Sequence, residues 1–238
     1  MTKPPRRRIR PLDAWQAIRA LLRDPDDTRQ VFKIVDALSG KAGERIFRRF
    51  RATASGTRIL EERRDLLQTL CQRDALAALP PGSLGRSYLD FVTREQITAD
   101  GLVAASMEAR EQVEELSEDY RRTMERLRDM HDLWHVVAGY GRDLVGEASL
   151  LAFTFAQTWN PGVGFIVAVA YLRLGDVPGA RGLLREAFRR GRRAAWLPGE
   201  DWEALLALPL DEVRSRVRTG KPPRYEAVRS TGAPTLAY

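Results

Sequence analysis

Apolar residues recur along most of the chain at the three- and four-residue spacing that is typical of amphipathic helices. No stretch shows the period-two alternation expected of several strands. The pattern therefore predicts an all-α fold, with no sheet. The first helix is expected over residues 12–23, with Leu12, Trp15, Ile18 and Leu22 on one stripe. A second helix is expected from a cap at Asp26 or Asp27 to Ser39-Gly40, and a third from there to about Ala52. Helical patterns continue through residues 60–70 and stop at Pro80-Pro81-Gly82, and a further helix is expected to begin near Ser83.

Three later stretches stand out by their charge. Residues 103–128 form a predicted helix rich in Glu and Arg, which we interpret as a solvated face. Residues 148–172 carry no charge and could cross a bilayer by length, but polar residues and Pro161 interrupt them. They therefore predict a hairpin of two apolar helices, the second buried on several sides, in the core, in a homodimer interface or beside a greasy channel. The arginines of residues 181–193 predict a solvated face, or contact with anionic lipid or an acidic partner.

Composition narrows the class of protein. The chain has 238 residues, 44% of them hydrophobic, which is enough for a sizeable core. The single cysteine, Cys71, excludes a disulfide framework within one chain and fits a reducing compartment. The net charge is +7, but no nucleic-acid-binding signature accompanies it, so no nucleic acid is expected as a partner.

We expect one α-helical domain over residues 12–225, between a basic disordered stub at 1–11, which could touch anionic lipid, and a loose tail at 226–238.

The candidate chemistry lies in HDLWHVVAGYGRDLVGE, residues 131–147, which contains both histidines of the protein. His131 and His135 are four residues apart, so on a helix they share one face, and Asp132 lies next to them on the helix. Glu147 would be about 18 Å farther along an unbroken helix, too far to share an ion. However, Gly139 and Gly141 favour a helix end, and Asp143 can cap a second helix. Two antiparallel helices would then bring Glu147 back over the histidines.

Two imidazoles and two carboxylates form a ligand set for a divalent metal. This set suits Zn, Fe or Mn better than Ca, because Ca prefers all-oxygen shells. We take Zn as the first choice and Fe or Mn as the alternatives. Simpler interpretations are an Asp132–Arg128 ion pair, a Glu147–Arg142 ion pair and two histidines that serve as ordinary core residues. The motif is not that of the H-E-x-x-H metalloproteases, since Asp132 replaces their glutamate.

The spacing H-D-x-x-H-x(11)-E resembles the signature of the ubiquinone (coenzyme Q) biosynthesis family Coq-four. The segments LPPGSLGRSYLDF at 79–91 and RRGRRAAWLPGEDWEALLALPLDEVRSRV at 189–217 resemble two further family signatures. The resemblance implies a metal-dependent carbon–carbon lyase that decarboxylates ring carbon one of a polyprenylated hydroxybenzoate, in an oxidative form with hydroxylation. It also implies a peripheral protein of the cytoplasmic inner membrane, or of the mitochondrial inner membrane in a eukaryote, that works with other ubiquinone biosynthesis proteins.

The resemblance suggests that the ring of the substrate lies at the metal and its tail among apolar helices, with Leu151, Phe155 and Phe165 as candidate contacts. The alternative is a non-catalytic scaffold that binds polyprenyl lipids and organises the other enzymes of the pathway around a structural metal. A third class, a metal-dependent hydrolase, would act on simple esters or phosphoesters. The sequence leaves open which metal is bound and whether it is catalytic.

Overall fold

The computed structural model describes residues 9–24, 27–97 and 117–228. Within these ranges the protein consists of α-helices and two short 3-10 turns, and it contains no strand. The all-α prediction is therefore confirmed for the described residues. In chain order the α-helices are α1 Pro11–Leu21, α2 Thr28–Leu38, α3 Ala42–Arg51, α4 Ala54–Glu61, α5 Leu66–Cys71, α6 Arg73–Ala77, α7 Leu84–Arg94, α8 Glu118–Asp129, α9 His131–Ala138, α10 Leu144–Thr158, α11 Pro161–Arg173, α12 Ala180–Arg193, α13 Trp202–Leu205 and α14 Leu210–Arg216.

The main core surrounds the short helix α9. Seven of its eight residues, from Asp132 to Ala138, are buried, which is unusual for a helix that also carries two histidines. The helix packs against α7 and α14, while α10 packs along α12. A smaller core of Ala17, Ile18, Ile34 and Ile166 joins the α1–α2 hairpin to α11. Both halves of the H-D-x-x-H-x(11)-E motif lie against the main core, which includes Leu133 and Val145.

Several helix boundaries agree with the signals in the sequence. Asp27 caps α2 by accepting a hydrogen bond from the backbone N–H of Arg29, and Ser83 caps α7 through that of Arg86. Asp143 caps α10, as predicted, by accepting from the N–H groups of Val145 and Gly146. These side chains satisfy N–H groups that the first turn of a helix leaves without partners.

The expected stripe on the first helix is wrong in its orientation. Leu12 and Trp15 are 76% and 57% exposed, whereas Ile18 is buried together with Ala14 and Ala17. The alanine side of α1 therefore faces α2. Because small residues allow two helices to approach closely, α1 packs through its alanines and leaves the bulkier Leu12 and Trp15 outside. The spacing of apolar residues alone does not show which of these two sides will be buried.

The apolar hairpin is present, but its second helix is less buried than predicted. The first helix, α10, ends at Thr158, Trp159 takes a left-handed φ of 49°, and Asn160 caps α11. Only Gly162, Val163 and Ile166 of α11 are buried, and Leu172 is 70% exposed. The other apolar residues of α11 are half-buried or exposed, although the helix packs against α2 and α10. None of the helices in the described ranges combines the length and the apolar content that crossing a bilayer requires.

The predicted helix over 103–128 is described only from Ser117, the N-cap of α8, and its earlier part lies outside the described residues. The interpretation of its charges as a solvated face is wrong for Arg126, whose side chain is 5% exposed and paired with Glu203. Residues 1–8 of the basic stub and residues 229–238 of the tail also lie outside the described ranges.

Candidate metal site

The two histidines lie on one face of α9, one turn apart. Their Nε2 atoms are 3.3 Å apart, and the rings meet edge to face at 87° with centroids 4.9 Å apart. The side chain of His135 is fully buried, and that of His131 is 27% exposed. Phe91 of α7 stacks on the His135 ring at a centroid distance of 5.4 Å. The pair therefore has a closed side in the core and an open side at His131.

The chain reverses direction immediately after α9. Gly139 has a φ of +76°, and the N–H groups of Gly139 and Tyr140 both donate to the carbonyl oxygen of His135. This is the left-handed helix end that glycine favours. A Cβ at Gly139 would lie 2.5 Å from the Cβ of Pro222, so the close approach of the C-terminal segment also requires glycine.

The reversal brings Glu147 to the histidines. Its Oε2 atom is 3.4 Å from Nε2 of His135 and 3.7 Å from Nε2 of His131. The buried Asp132 contributes a carboxylate oxygen that lies within 4.8 Å of ring nitrogens of both histidines. Asp132 and Glu147 therefore each lie close to both histidines, and the Glu147 side chain is 32% exposed on the open side.

These distances fit a metal ion. Ligand bonds of about 2.0–2.1 Å to a tetrahedral Zn place the ligand atoms about 3.3 Å apart. The three separations among Nε2 of His131, Nε2 of His135 and Oε2 of Glu147, 3.3, 3.4 and 3.7 Å, are close to that edge length. A cluster of two imidazoles with a carboxylate is also a donor set that Zn, Fe and Mn accept. The arrangement can hold a divalent metal.

The orientation of the His135 ring suits this role. Its Nδ1 atom lies 2.9 Å from the carbonyl oxygen of Tyr140. A carbonyl can only accept, so Nδ1 carries a proton, and Nε2 is the ring nitrogen that faces the cluster. Metal-bound histidines commonly make this second hydrogen bond, which fixes the orientation of the ring.

Electrostatics couple the acid to the imidazoles. Burial favours the neutral forms of both partners, but their mutual attraction outweighs it in each case. Burial lowers the pKa of His135, but the nearby carboxylate of Glu147 raises it by more, so the pKa lies above its usual value. The pKa of Glu147 is held well below its usual value, since the charges and hydrogen bonds of the two histidines overcome the effect of burial. Glu147 is thus kept as a carboxylate, the form that binds metals.

Of the two simpler ion-pair interpretations, the structure tests the one between Glu147 and Arg142. Arg128 forms an ion pair with its neighbour Asp129 at 2.7 Å, and its pairing with Asp132 stays a prediction. Arg142 does contact Glu147, through Nε at 3.3 Å from Oε1. The two carboxylate oxygens of Glu147 are therefore divided, with Oε1 at the arginine and Oε2 at the histidines.

Comparison with known proteins gives the family. Residues 10–223 match the family model described as coenzyme Q (ubiquinone) biosynthesis protein Coq4. The chain belongs to the Coq4 family. The match includes both the site and the N-terminal hairpin of α1 and α2. Ubiquinone biosynthesis is the process in which the family takes part.

Relatives are found among fungal mitochondrial proteins. The chain is 29% identical over 198 residues to ubiquinone biosynthesis protein coq4, mitochondrial, of Schizosaccharomyces japonicus, with 80% of each chain covered. It is 30% identical over 180 residues to the Neosartorya fischeri protein of the same name, covering 74% of this chain and 60% of that relative. The fold resembles the crystal structure of a candidate ubiquinone biosynthesis protein from Nostoc punctiforme, with a TM-score of 0.61, 23% identity, and 90% of this chain and all of that chain covered.

The three candidate tail contacts lie on or beside α10. Leu151 follows Glu147 by one helical turn and Phe155 by two, and both are half-buried. Leu151 and Phe165 pack against the smaller core at the N-terminal hairpin. Phe155 belongs to an aromatic cluster with Trp159 and Phe188, at centroid distances of 5.3 and 5.9 Å. A half-buried apolar stripe therefore leads away from Glu147 along α10.

Two residues that support the site were missed in the sequence. Arg190 of α12 contacts Tyr140 in the hinge and was interpreted as part of a solvated face. The hydroxyl of Tyr225 accepts from the N–H of Gly141 at 2.8 Å and donates to Oδ2 of Asp143 at 2.7 Å. Both act from 50 or more positions away along the chain, so no local pattern could have connected them with the motif.

Proposed function

We propose that this Coq4-family protein catalyses a metal-dependent decarboxylation at ring carbon one of a polyprenylated hydroxybenzoate, in an oxidative form with hydroxylation at the same carbon. The bond from the ring to the carboxyl group breaks and releases CO₂, a bond from the ring to a hydroxyl oxygen forms, and dioxygen takes up the two electrons and, with one water consumed, leaves as hydrogen peroxide. The observation that carries this proposal is the convergence of His131, His135 and Glu147, with ligand atoms at most 3.7 Å apart, on a site open at one side. A buried structural ion would not need that opening.

In this proposal His131, Asp132, His135 and Glu147 hold the ion. A divalent cation bound there would stabilise the negative charge that develops on the carboxylate and phenolic oxygens of the ring. The surrounding side chains would orient the histidine ligands and keep water away from the core side of the site. His135 keeps its Nε2 atom directed at the cluster through the hydrogen bond to Tyr140, and Phe91 closes the core side of the ring.

Arg142 is the residue that we assign to the substrate's carboxylate. Its side chain is 30% exposed, and its ion pair with Glu147 runs through Nε. Its two Nη groups therefore remain as donors at the rim of the cluster. A planar guanidinium suits a carboxylate geometrically, so Arg142 would hold the leaving group beside the metal until the carbon–carbon bond breaks and CO₂ departs.

The apolar stripe on α10 would hold the tail. Phe155 lies eight residues beyond Glu147, or about 12 Å along the helix. Leu151 lies between them on the same face, and the stripe ends in the aromatic cluster around Trp159. A ring at the cluster and an isoprenoid chain along this stripe would each meet a surface of matching polarity.

The experiment that tests the proposal combines metal and product analysis on one sample of the purified full chain. We expect about one equivalent of Zn, Fe or Mn per chain, and release of labelled CO₂ from a prenylated hydroxybenzoate labelled at the carboxyl carbon. The scaffold alternative predicts that folded, metal-loaded protein binds this compound but releases no CO₂ with any of the three metals. That outcome would refute the catalytic proposal.

Replacing Arg142 by methionine should weaken binding of carboxylated substrates. A charge-assisted hydrogen bond contributes about 1.5–3 kcal/mol, which corresponds to roughly 10- to 150-fold in KM. A ring analogue without the carboxyl group should bind the variant and the parent protein equally. Arg189→Met on the exposed side of α12 is the matched control. If Arg142→Met binds both compounds as the parent does, with metal content unchanged, Arg142 does not contact the carboxylate.

Association with a membrane surface is a further part of the proposal, because polyprenyl tails dissolve in lipid. The exposed Leu12 and Trp15 on α1 support it, as does the basic Arg19 one turn beyond Trp15. The relatives named as mitochondrial favour the inner mitochondrial membrane if this chain comes from a eukaryote. Trp15→Ser should weaken co-sedimentation with anionic vesicles severalfold, while Leu172→Ser, at an exposed apolar position of α11, should not. Equal binding by parent and Trp15→Ser would exclude this surface.

A further inference from the structure

The two halves of the candidate metal site stand on helices with different packing partners. His131 and His135 lie on α9, which packs against α7 and α14. Glu147 lies on the first turn of α10, which packs along α12 and α11. The chain joins the two helices through a short hinge, residues 139–142, in which Gly139 takes a φ of +76°. A metal site needs its ligands held to within about 0.5 Å, so a contact that bridges α9 and α10 acts directly on the site.

The chain beyond α14 makes such a bridge. We call residues 219–228 the strap, and they have no regular secondary structure. Pro222 of the strap lies against Gly139, just past the end of α9. Farther along, the carbonyl oxygen of Val228 accepts from the N–H of Leu144 at 2.8 Å, at the start of α10. The strap therefore contacts the end of one helix and the beginning of the other.

Tyr225 is the central contact of the strap. Its hydroxyl accepts from the N–H of Gly141 at 2.8 Å and donates to Oδ2 of Asp143 at 2.7 Å. The same hydroxyl lies against the first turn of α10, where a Cβ at Gly146 would be 2.5 Å from it. Tyr225 thus holds the hinge and the first turn of α10 together, directly before Glu147.

The carboxylate of Asp143 is shared between α10 and the strap. Its Oδ1 atom accepts from the N–H groups of Val145 and Gly146, both at 3.1 Å, and so caps the helix. Oδ1 also accepts from the N–H of Val228 at 3.2 Å, while Oδ2 accepts from Tyr225. The residue is only 3% exposed, so water does not replace these donors. The strap therefore fixes the orientation of the cap, and with it the start of the helix.

We propose that Tyr225 is a positioning residue for the metal site: its hydroxyl docks the strap on the cap of α10 and thereby keeps Glu147 within ligand distance of the two histidines. The N–H of Glu147 donates to the carbonyl oxygen of Asp143 at 2.8 Å, so a movement of the cap passes directly to Glu147. Without the hydroxyl, the first turn of α10 can shift relative to α9, and Oε2 of Glu147 moves away from the imidazoles. The inference rests on the proposed metal site and adds a residue to it.

The first test compares Tyr225→Phe with Tyr171→Phe in the metal-free full chain. Each variant loses one phenolic hydroxyl, and that of Tyr171 accepts from Arg185, between α11 and α12. Because the protein has two histidines, nuclear Overhauser effects (NOEs) between their ring protons and the γ-protons of Glu147 are readily assigned. We expect these NOEs in the parent and in Tyr171→Phe, and a clear loss of intensity in Tyr225→Phe.

The second test is titration with Co(II) alone. The Kd should rise about 10-fold in Tyr225→Phe, the lower end of the effect of losing an outer-shell partner, because the hydroxyl acts through the backbone. It should be unchanged in Tyr171→Phe. If Tyr225 acts through Glu147, adding Tyr225→Phe to Glu147→Gln should change the Kd no further. A residue that only stabilises the fold would give the same loss in both backgrounds.

Unchanged NOEs and Kd in Tyr225→Phe would overturn the inference, and so would an equal loss of affinity in the Glu147→Gln background. If Tyr225→Phe does not fold, Asp143→Asn keeps an oxygen to cap α10 and removes the acceptor of the Tyr225 hydroxyl. It should weaken the same NOEs, and their persistence would contradict the role. A parent that binds no Co(II) would refute the metal site itself, whereas the NOEs decide separately whether Tyr225 positions Glu147.

Discussion

Glu147→Gln is expected to strip the protein of its metal. The substitution keeps the shape of the side chain but replaces the carboxylate, whose Oε2 atom lies 3.4 and 3.7 Å from the two Nε2 atoms, by a neutral amide. Loss of an outer-shell partner already weakens metal binding 10- to 100-fold, so loss of a direct ligand and its charge should weaken it by at least about 100-fold. The measurement is the Kd for Zn or Co(II) by competition with a chelator.

The control for this experiment is Glu212→Gln, which removes the same charge from an exposed position on α14. Its metal content and CO₂ release should equal those of the parent, whereas both should be lost together in Glu147→Gln. A variant that retains the metal with the parent's Kd would show that Glu147 is not a ligand. In that case the ion-pair interpretation with Arg142 would be the correct one.

The local geometry of the site could be predicted from the sequence because its signals are local. A His pair four residues apart shares a helix face, and Gly139 ends the helix in the left-handed conformation that glycine favours. Asp143 starts the next helix, as its position two residues after Gly141 suggested. Together these signals were sufficient to predict that Glu147 would return to the histidines instead of lying about 18 Å away.

The support of the site could not be predicted, since it depends on contacts between distant parts of the chain. Arg190 lies among arginines of similar spacing, and the sequence does not distinguish the one that faces the hinge from those that face water. Tyr225 is the last residue of the expected helical domain and carries no local signal of a role, yet its hydroxyl links Gly141 to the cap of α10. Apolar stripes have the same limitation, as α1 shows with Leu12 outside and Ala17 inside.

Arg126 is the clearest case of a charge whose partner is far away in sequence. Its Nη1 and Nη2 groups bind the two carboxylate oxygens of Glu203 at 2.7 and 2.6 Å, 77 residues later. The side chains are 5% and 15% exposed. A charge run at helical spacing usually marks a solvated face, and Arg121 and Arg122 of α8 make ion pairs of that kind with neighbours on their own helix.

Arg126→Met should therefore be strongly destabilising. Removing one partner of a buried, bidentate pair leaves the other charge without compensation and costs about 3–5 kcal/mol, a large fraction of a typical free energy of unfolding. Arg121→Met, which breaks a surface pair of 3.9 Å with Glu125, should cost less than about 1 kcal/mol. Denaturant unfolding followed by circular dichroism measures both.

The double variant Arg126→Met/Glu203→Leu decides why the single variant is unstable. Because the main cost is the unpaired carboxylate, removing it as well should restore most of the lost stability, giving a strong positive coupling in the double-mutant cycle. Additive losses would instead mean that Arg126 acts through packing. Since the pair joins α8 to α13, and α8 leads directly into the helix of His131, metal affinity at a temperature where every variant is folded should follow the same order as stability.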